Sequence, residues 1–250
     1  MESWREQRLW QARQTLEALK NQCSPLLVSF GGSIAYGTDT PDSDIDLRGL
    51  YLNPVEEWIG LEPDSQQLSL EDSDTVLFSL KKGMNLFLNC NPNVVELLGV
   101  RQTDILLDSP DAQLLRAHTA DLLSQKAVST FGGFAYQQGK RLEAMVRKGG
   151  ESRKKLGKHM MHLIRVYAMG IDLLRRGEVV TYRAAEHELL MALRGGAYLD
   201  ADGVPTAAFQ ALVDDYEAAF RRAADGTRLR EQPDRALANA LTMEIVRRHL

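Results

Sequence analysis

The apolar pattern of this 250-residue chain changes period once, and that change limits the folds open to it. Up to about residue 110 the apolar residues come in short runs of strand length, with helical spacing between them. Leu26-Leu27-Val28-Ser29-Phe30 reads as a buried strand, Asp42 to Tyr51 as a second and Thr75-Val76-Leu77-Phe78-Ser79-Leu80 as a third. Leu9, Ala12, Leu16 and Leu19 recur at three- and four-residue spacing, which predicts a helix over Ser3 to Asn21 with Ser3 as its cap. Leu80, Met84, Phe87 and Leu88 mark another, ended by Asn91-Pro92. Pro54, Gly60 and Pro63 punctuate a loop-rich stretch between the second and third strands.

From Ser109-Pro110 onward the spacing is helical almost throughout, beginning with a Ser N-cap and a Pro at the first helical position. The clearest helix runs from Arg153 to Arg176 and ends in a cationic last turn followed by Gly177. Two amphipathic stretches, at 206–224 and 233–249, close the chain. The expected architecture is α/β (α+β), with a short mixed sheet over residues 1–110 and an all-α domain over 111–250.

Composition excludes several classes. Hydrophobic residues at 44% and charged residues at 26% rule out a disordered or collagen-like chain. No apolar run approaches the roughly 20 residues of a membrane span, and Glu2, Arg5, Glu6 and Arg8 interrupt any signal-peptide core. Two cysteines, Cys23 and Cys90, are too few for a disulfide framework and fit free thiols in a reducing cytoplasm. The net charge of -4 hides an asymmetry: residues 126–176 carry 12 Lys/Arg against 3 Asp/Glu, whereas residues 1–125 carry 9 against 19. A basic belt in an acidic chain points to a phosphate-rich partner or to a solvated helix face.

The chemistry concentrates in Gly31-Gly32-Ser33-Ile34-Ala35-Tyr36-Gly37-Thr38 and the following Asp42-Ser43-Asp44-Ile45-Asp46-Leu47-Arg48-Gly49. Residues two apart in a strand project together, so Asp44 and Asp46 are expected side by side, with Arg48 on the same face. Crowded carboxylates suit a hard divalent cation, which takes oxygen ligands and usually shares them with substrate phosphates. Gly32 leaves room for a phosphate, and Ser33 sits at a strand-to-helix corner where a hydroxyl and backbone amides favour an anion. Either motif alone is common in turns and exposed strands; in strand–turn–helix–strand order they outline a nucleotide site.

This arrangement resembles the DNA polymerase β-like nucleotidyltransferase superfamily, and the string GSIAYGTDTPDSDIDLRG resembles the branch that includes RNA-repair-associated polymerase β-like proteins. FSLKKGMNLFLNCNPNVVELL and KLGKHMMHLIRVYAMGIDLLRRGE resemble the same branch, so the likeness covers roughly residues 28 to 195. It implies a nucleotidyltransferase-like catalytic domain over 1–110 and a two-metal site of Mg²⁺ or Mn²⁺ on Asp44, Asp46 and a third carboxylate. Asp74 is the preferred third ligand, next to the strongest strand signal; Asp72, of the same parity, and Glu71 are competitors. The implied nucleotide-binding set is Gly32, Ser33, Tyr36, Gly37, Thr38, Ser43 and Arg48, with an NTP or dNTP as donor.

On the Arg153–Arg176 helix, Leu156, Met160, Leu163, Tyr167 and Leu174 share one face at 100° per residue. Lys155, Lys158, His159, His162 and Arg165 gather on another. Of these, Lys155, Lys158, His162 and Arg165 are the expected contacts to phosphate or a nucleic-acid strand. The leading expectation is transfer of a nucleoside monophosphate to a nucleic-acid 3′ end, with an RNA ligase as a candidate partner and no membrane association. AMPylation-type transfer to a protein or small-molecule hydroxyl is the alternative, and a silent nucleotide-binding module a further one. Oligomeric state is left open.

Overall fold

Strands and helices alternate through the first 108 residues, and helices alone make up the regular structure thereafter. The computed structural model describes residues 4–61, 63–70 and 73–250. The expected Ser3 cap and the competing carboxylates Glu71 and Asp72 lie outside them. In chain order the first elements are α1 (Trp4–Lys20), β1 (Ser24–Phe30), α2 (Gly32–Tyr36), β2 (Asp46–Leu52), α3 (Val55–Ile59), β3 (Gln67–Leu70) and β4 (Asp74–Ser79). They are followed by α4 (Leu80–Leu88), α5 (Pro92–Val95) and, after two 3₁₀ turns, β5 (Ile105–Asp108). The helical part comprises α6 (Pro110–Ala117), α7 (Thr119–Leu122), α8 (Lys126–Lys148), α9 (Arg153–Arg176), α10 (His187–Arg194), α11 (Ala207–Asp225) and α12 (Arg235–Arg247).

The five strands form one mixed sheet in the order β3-β4-β2-β1-β5, parallel only between β2 and β4. β3 and β5 were not expected from the sequence. Both are four-residue edge strands, too short for a period to register, and their pairing partners supply the order they lack locally. The expected second strand begins four residues late, at Asp46 rather than Asp42. Arg8 of α1 is the cause: its Nη2 donates to the carbonyls of Thr40, at 2.8 Å, of Pro41, at 3.0 Å, and of Ser43. This curls residues 40–43 into a turn and keeps Asp44 out of the sheet.

The two sheet faces are buried differently. Val28, Phe30, Leu47, Tyr51 and Leu77 pack against Ala12, Leu16 and Leu19 of α1. On the opposite face Leu27 and Leu50 join one continuous core with Phe87, Phe131, Leu163 and Phe220 from the helices. Alternation along β2 and β4 therefore puts Asp46, Arg48 and Leu50, and with them Asp74, Val76 and Phe78, on the face toward the helical part. The helix signals read in the sequence are present: Ser109 Oγ accepts from the Ala112 amide at 3.1 Å, Ser152 caps α9, and Gly177 ends it at φ 70°. The α+β class expected from the sequence is the observed one. Among the described residues, no helix is long and apolar enough to cross a membrane.

Candidate active site

Asp46 opens β2, Asp74 opens β4, and the parallel register sets the two opposite one another. Their carboxylates are close enough to share a hydrogen bond. Burial and then that bond push Asp46 up to about 7, while the same bond, followed by the Arg48 guanidinium, holds Asp74 below its ordinary value. Arg48 ties the pair together. Its Nη2 lies 2.9 Å from Asp74 Oδ1 and 3.7 Å from Asp46 Oδ1, and its Nη1 donates to the Asp74 carbonyl at 2.6 Å.

The glycines beside this pair answer to it sterically. A Cβ on Gly32 would stand 1.8 Å from Asp46 Oδ2, and its φ of +53° already favours glycine. A Cβ on Gly31 would lie 2.7 Å from Arg48 Cγ. Gly32 thus admits the Asp46 carboxylate, a role beyond the phosphate approach read from the sequence. The first amides of α2 have no intrahelical acceptor, and Gly31 supplies no side-chain cap.

A groove of about 450 Å³ runs from these carboxylates between the sheet and α9, lined by Ser33, Tyr36, Lys158, His162 and Arg194 among others. Lys158 acts on Asp46 and Asp74 through its charge, with no direct ion pair among the described residues. Arg194 Nη2 donates to Ser43 Oγ at 2.9 Å, and its Nη1 is buried without a partner among the described residues. Both cations are set to meet an anion in the groove. His162 lines the groove as well, and burial, then the Arg165 charge, holds its imidazole well below its usual value.

Asp44 lies before β2, outside the sheet and exposed, and lines a second groove, of about 640 Å³, beneath α1 together with Asp74. Asp74 therefore stands between two grooves, with Asp46 opening to one and Asp44 to the other. Among the described residues no three His, Cys, Asp or Glu side chains come together as a metal cage. The Asp46–Asp74 pair by itself fits a divalent cation: its donors are hard carboxylate oxygens that the parallel register sets opposite one another.

Several expected contacts are structural instead. The Tyr36 hydroxyl borders the groove but donates to Glu96 Oε2 at 2.9 Å. Gly37 adopts φ 75° against the Tyr182 ring, Thr38 is fully buried, and Ser43 hydrogen-bonds Thr40 and Arg194. Lys155 pairs with Glu151 at 2.8 Å and does not line the groove. Arg165, read as part of a strand-binding stripe, is 1% exposed; its Nη1 lies 3.3 Å from Glu96 Oε2 and its Cζ 3.6 Å from the Tyr36 ring centre. The stripe fails there because α9 is packed against α8, α10 and α11, so burial reaches well past its apolar face.

Sequence reasoning missed Arg194, Glu96, Phe78 and Asn93, all in the groove lining. Phe78, Asn93 and Glu96 lie within a string that resembles the polymerase β-like branch, which was the available signal; Arg194 lies inside the span of the likeness but in none of the strings that carry it.

No curated protein matches the chain. A nucleotidyltransferase-like protein from Exiguobacterium sibiricum 255-15 is a structural neighbour at 11% identity and a TM-score of 0.31, over 96% of this chain and 80% of that one. The family profile RlaP, described as the RNA repair pathway DNA polymerase beta family, matches residues 11–244. With nearly the whole chain matched, this protein belongs to the RNA repair pathway DNA polymerase beta family.

Proposed function

We propose that the chain transfers a nucleoside monophosphate from an NTP or dNTP to an acceptor hydroxyl, and that the acceptor is the 3′ end of a nucleic acid. The observation that carries this reading is the Asp46–Asp74 pair at the head of a groove walled by Gly32 and Ser33 on one side and by Lys158 and Arg194 on the other. Family membership supports nucleotidyl transfer, and the family's RNA-repair description supports RNA as the acceptor.

In this reading the triphosphate lies against Lys158 and Arg194, whose unpartnered Nη1 takes a phosphate oxygen. Ser33 and the opening amides of α2 orient the chain of phosphates. Arg48 keeps the two carboxylates in register. A divalent cation, Mg²⁺ or Mn²⁺, held by Asp46 and Asp74, supplies Lewis-acid stabilisation of the charge on the leaving pyrophosphate. The acceptor hydroxyl approaches from the second groove, past Asp44, and its oxygen bonds to the α-phosphorus. The bond to the β-phosphate oxygen breaks, pyrophosphate leaves with that electron pair, and the Asp74 carboxylate takes the acceptor proton. A second ion requires Asp44 to join the pair.

The test is incubation of the purified protein with each labelled NTP and dNTP, with Mg²⁺ or Mn²⁺, and with RNA, DNA or protein acceptors. Transfer by the wild type, reduced about 10²-fold or more in Asp46→Asn and Asp74→Asn, is the expected result. Absence of transfer to every acceptor, or full activity in both variants, overturns the reading.

A further inference from the structure

The groove changes character with distance from Asp46 and Asp74. Alternate residues of β4 share one face, so Val76 and Phe78 line the floor, and Asp74, opposite Asp46, stands just beyond its near end in the neighbouring groove. The registers set Arg48 opposite Val76, and Gln67 of β3 opposite Phe78. Four residues of strand put the Phe78–Gln67 step roughly 13 Å from Asp74. The helical wall follows the same order. Lys158 acts on both carboxylates, whereas Arg165, seven residues or roughly 10 Å along α9, bonds Glu96. Asn93, one turn before Glu96, therefore belongs to the remote end. The groove is charged at the carboxylates and uncharged where Phe78, Gln67 and Asn93 meet it, because the Glu96 carboxylate there is taken up by Tyr36 and Arg165.

We propose that this uncharged end is the nucleobase subsite: the base stacks on Phe78, and the side-chain amide of Asn93 and the Oε1 of Gln67, whose Nε2 donates to Ser69 Oγ at 2.9 Å, read its edge, selecting adenine. The proposal rests on the nucleotide reading given above and names its base. Phe78 is half-buried, held by the core on one side and presented to the groove on the other. The Asn93 backbone amide is fixed by the Asn91 cap at 3.1 Å, which holds the residue at the start of α5. Its side-chain amide has no hydrogen-bond partner among the described residues. An amide offers a donor and an acceptor side by side, the complement of an amino group beside a ring nitrogen, which adenine and cytosine both present; the larger purine face stacks better on Phe78 and favours adenine. The 13 Å between Phe78 and Asp74 leaves the sugar and α-phosphate to span the Arg48–Val76 step.

Isothermal titration of the full chain with ATP, GTP, CTP, UTP and inorganic tripolyphosphate, all with Mg²⁺, tests this. ATP should bind more tightly than the other three and than tripolyphosphate. Removing an aromatic stacking partner costs about 5- to 150-fold, so Phe78→Leu should weaken ATP binding by that factor relative to tripolyphosphate. Leu keeps apolar bulk at the core, and an unchanged tripolyphosphate affinity confirms that the variant is folded. Asn93→Ala should narrow the gap between ATP and the other nucleotides. Equal affinity for all four nucleotides, preference for another base, or a preference untouched by both variants overturns the subsite while leaving the phosphate site standing. Failure of the wild type to bind tripolyphosphate or any nucleotide overturns the nucleotide reading itself.

Discussion

Replacing Arg165 by Met should destabilise the protein by an amount that depends on pH. Arg165 and Glu96 are 1% and 5% exposed, and Arg165 Nη1 stands 3.3 Å from Glu96 Oε2. Burial holds the Glu96 carboxyl above its ordinary value, and the Arg165 guanidinium and the Tyr36 hydroxyl limit that rise. Without Arg165, a buried and uncompensated carboxylate takes up a proton in preference to remaining charged. At pH 7 that protonation costs at most about 3–4 kcal/mol more than in the wild type, at 1.36 kcal/mol per unit above an unfolded value near 4.3. The folded variant then holds a proton that the unfolded chain has released, so its stability falls as pH rises above about 4.3 and recovers as pH is lowered. At pH 5.5 the loss should be smaller than at pH 7, by up to about 2 kcal/mol. Urea unfolding of wild type and variant, followed by far-ultraviolet circular dichroism at both pH values, gives the difference. The double variant Arg165→Met with Glu96→Gln should recover part of the loss, because no charge is stranded. A loss of equal size at both pH values, or a double variant equal to the sum of the singles, refutes the reasoning.

Gly32→Ala forces a Cβ to within 1.8 Å of Asp46 Oδ2 at a φ of +53°; nucleotidyl transfer should fall steeply and thermal unfolding should show a loss on the order of 1 kcal/mol or more. Wild-type transfer by this variant would mean that the Asp46 position does not matter. Lys158→Ala should weaken tripolyphosphate binding several-fold, whereas Lys155→Ala, paired with Glu151 outside the groove, should leave it unchanged. No effect in either variant would return the whole stripe to a solvated face, and an equal loss in both would overturn the separation of Lys158 from Lys155.

The sequence by itself determined what local rules govern. Caps and terminators placed the helix ends: Ser109-Pro110 starts α6, Ser152 starts α9 and Gly177 stops it, because each satisfies backbone groups within a few residues of itself. The Gly-Gly-Ser corner and the acidic stretch after it were legible as chemistry, and the family-like segments reached Phe78, Asn93 and Glu96 before their role had a location. What the sequence did not hold is which side chains meet. Asp44 and Asp46 are two residues apart, yet Arg8, some 35 positions upstream, bends the turn that keeps Asp44 out of the sheet. Asp46 and Asp74 become neighbours only through the parallel β2–β4 register, which long-range pairing sets. Arg165 and Lys158 lie on one helix with similar patterning, but packing on α9 buries the first and leaves the second at the groove. Charge and period are properties of a segment; burial and coordination belong to contacts between segments, and these exist only once the sheet and the helices have closed on each other.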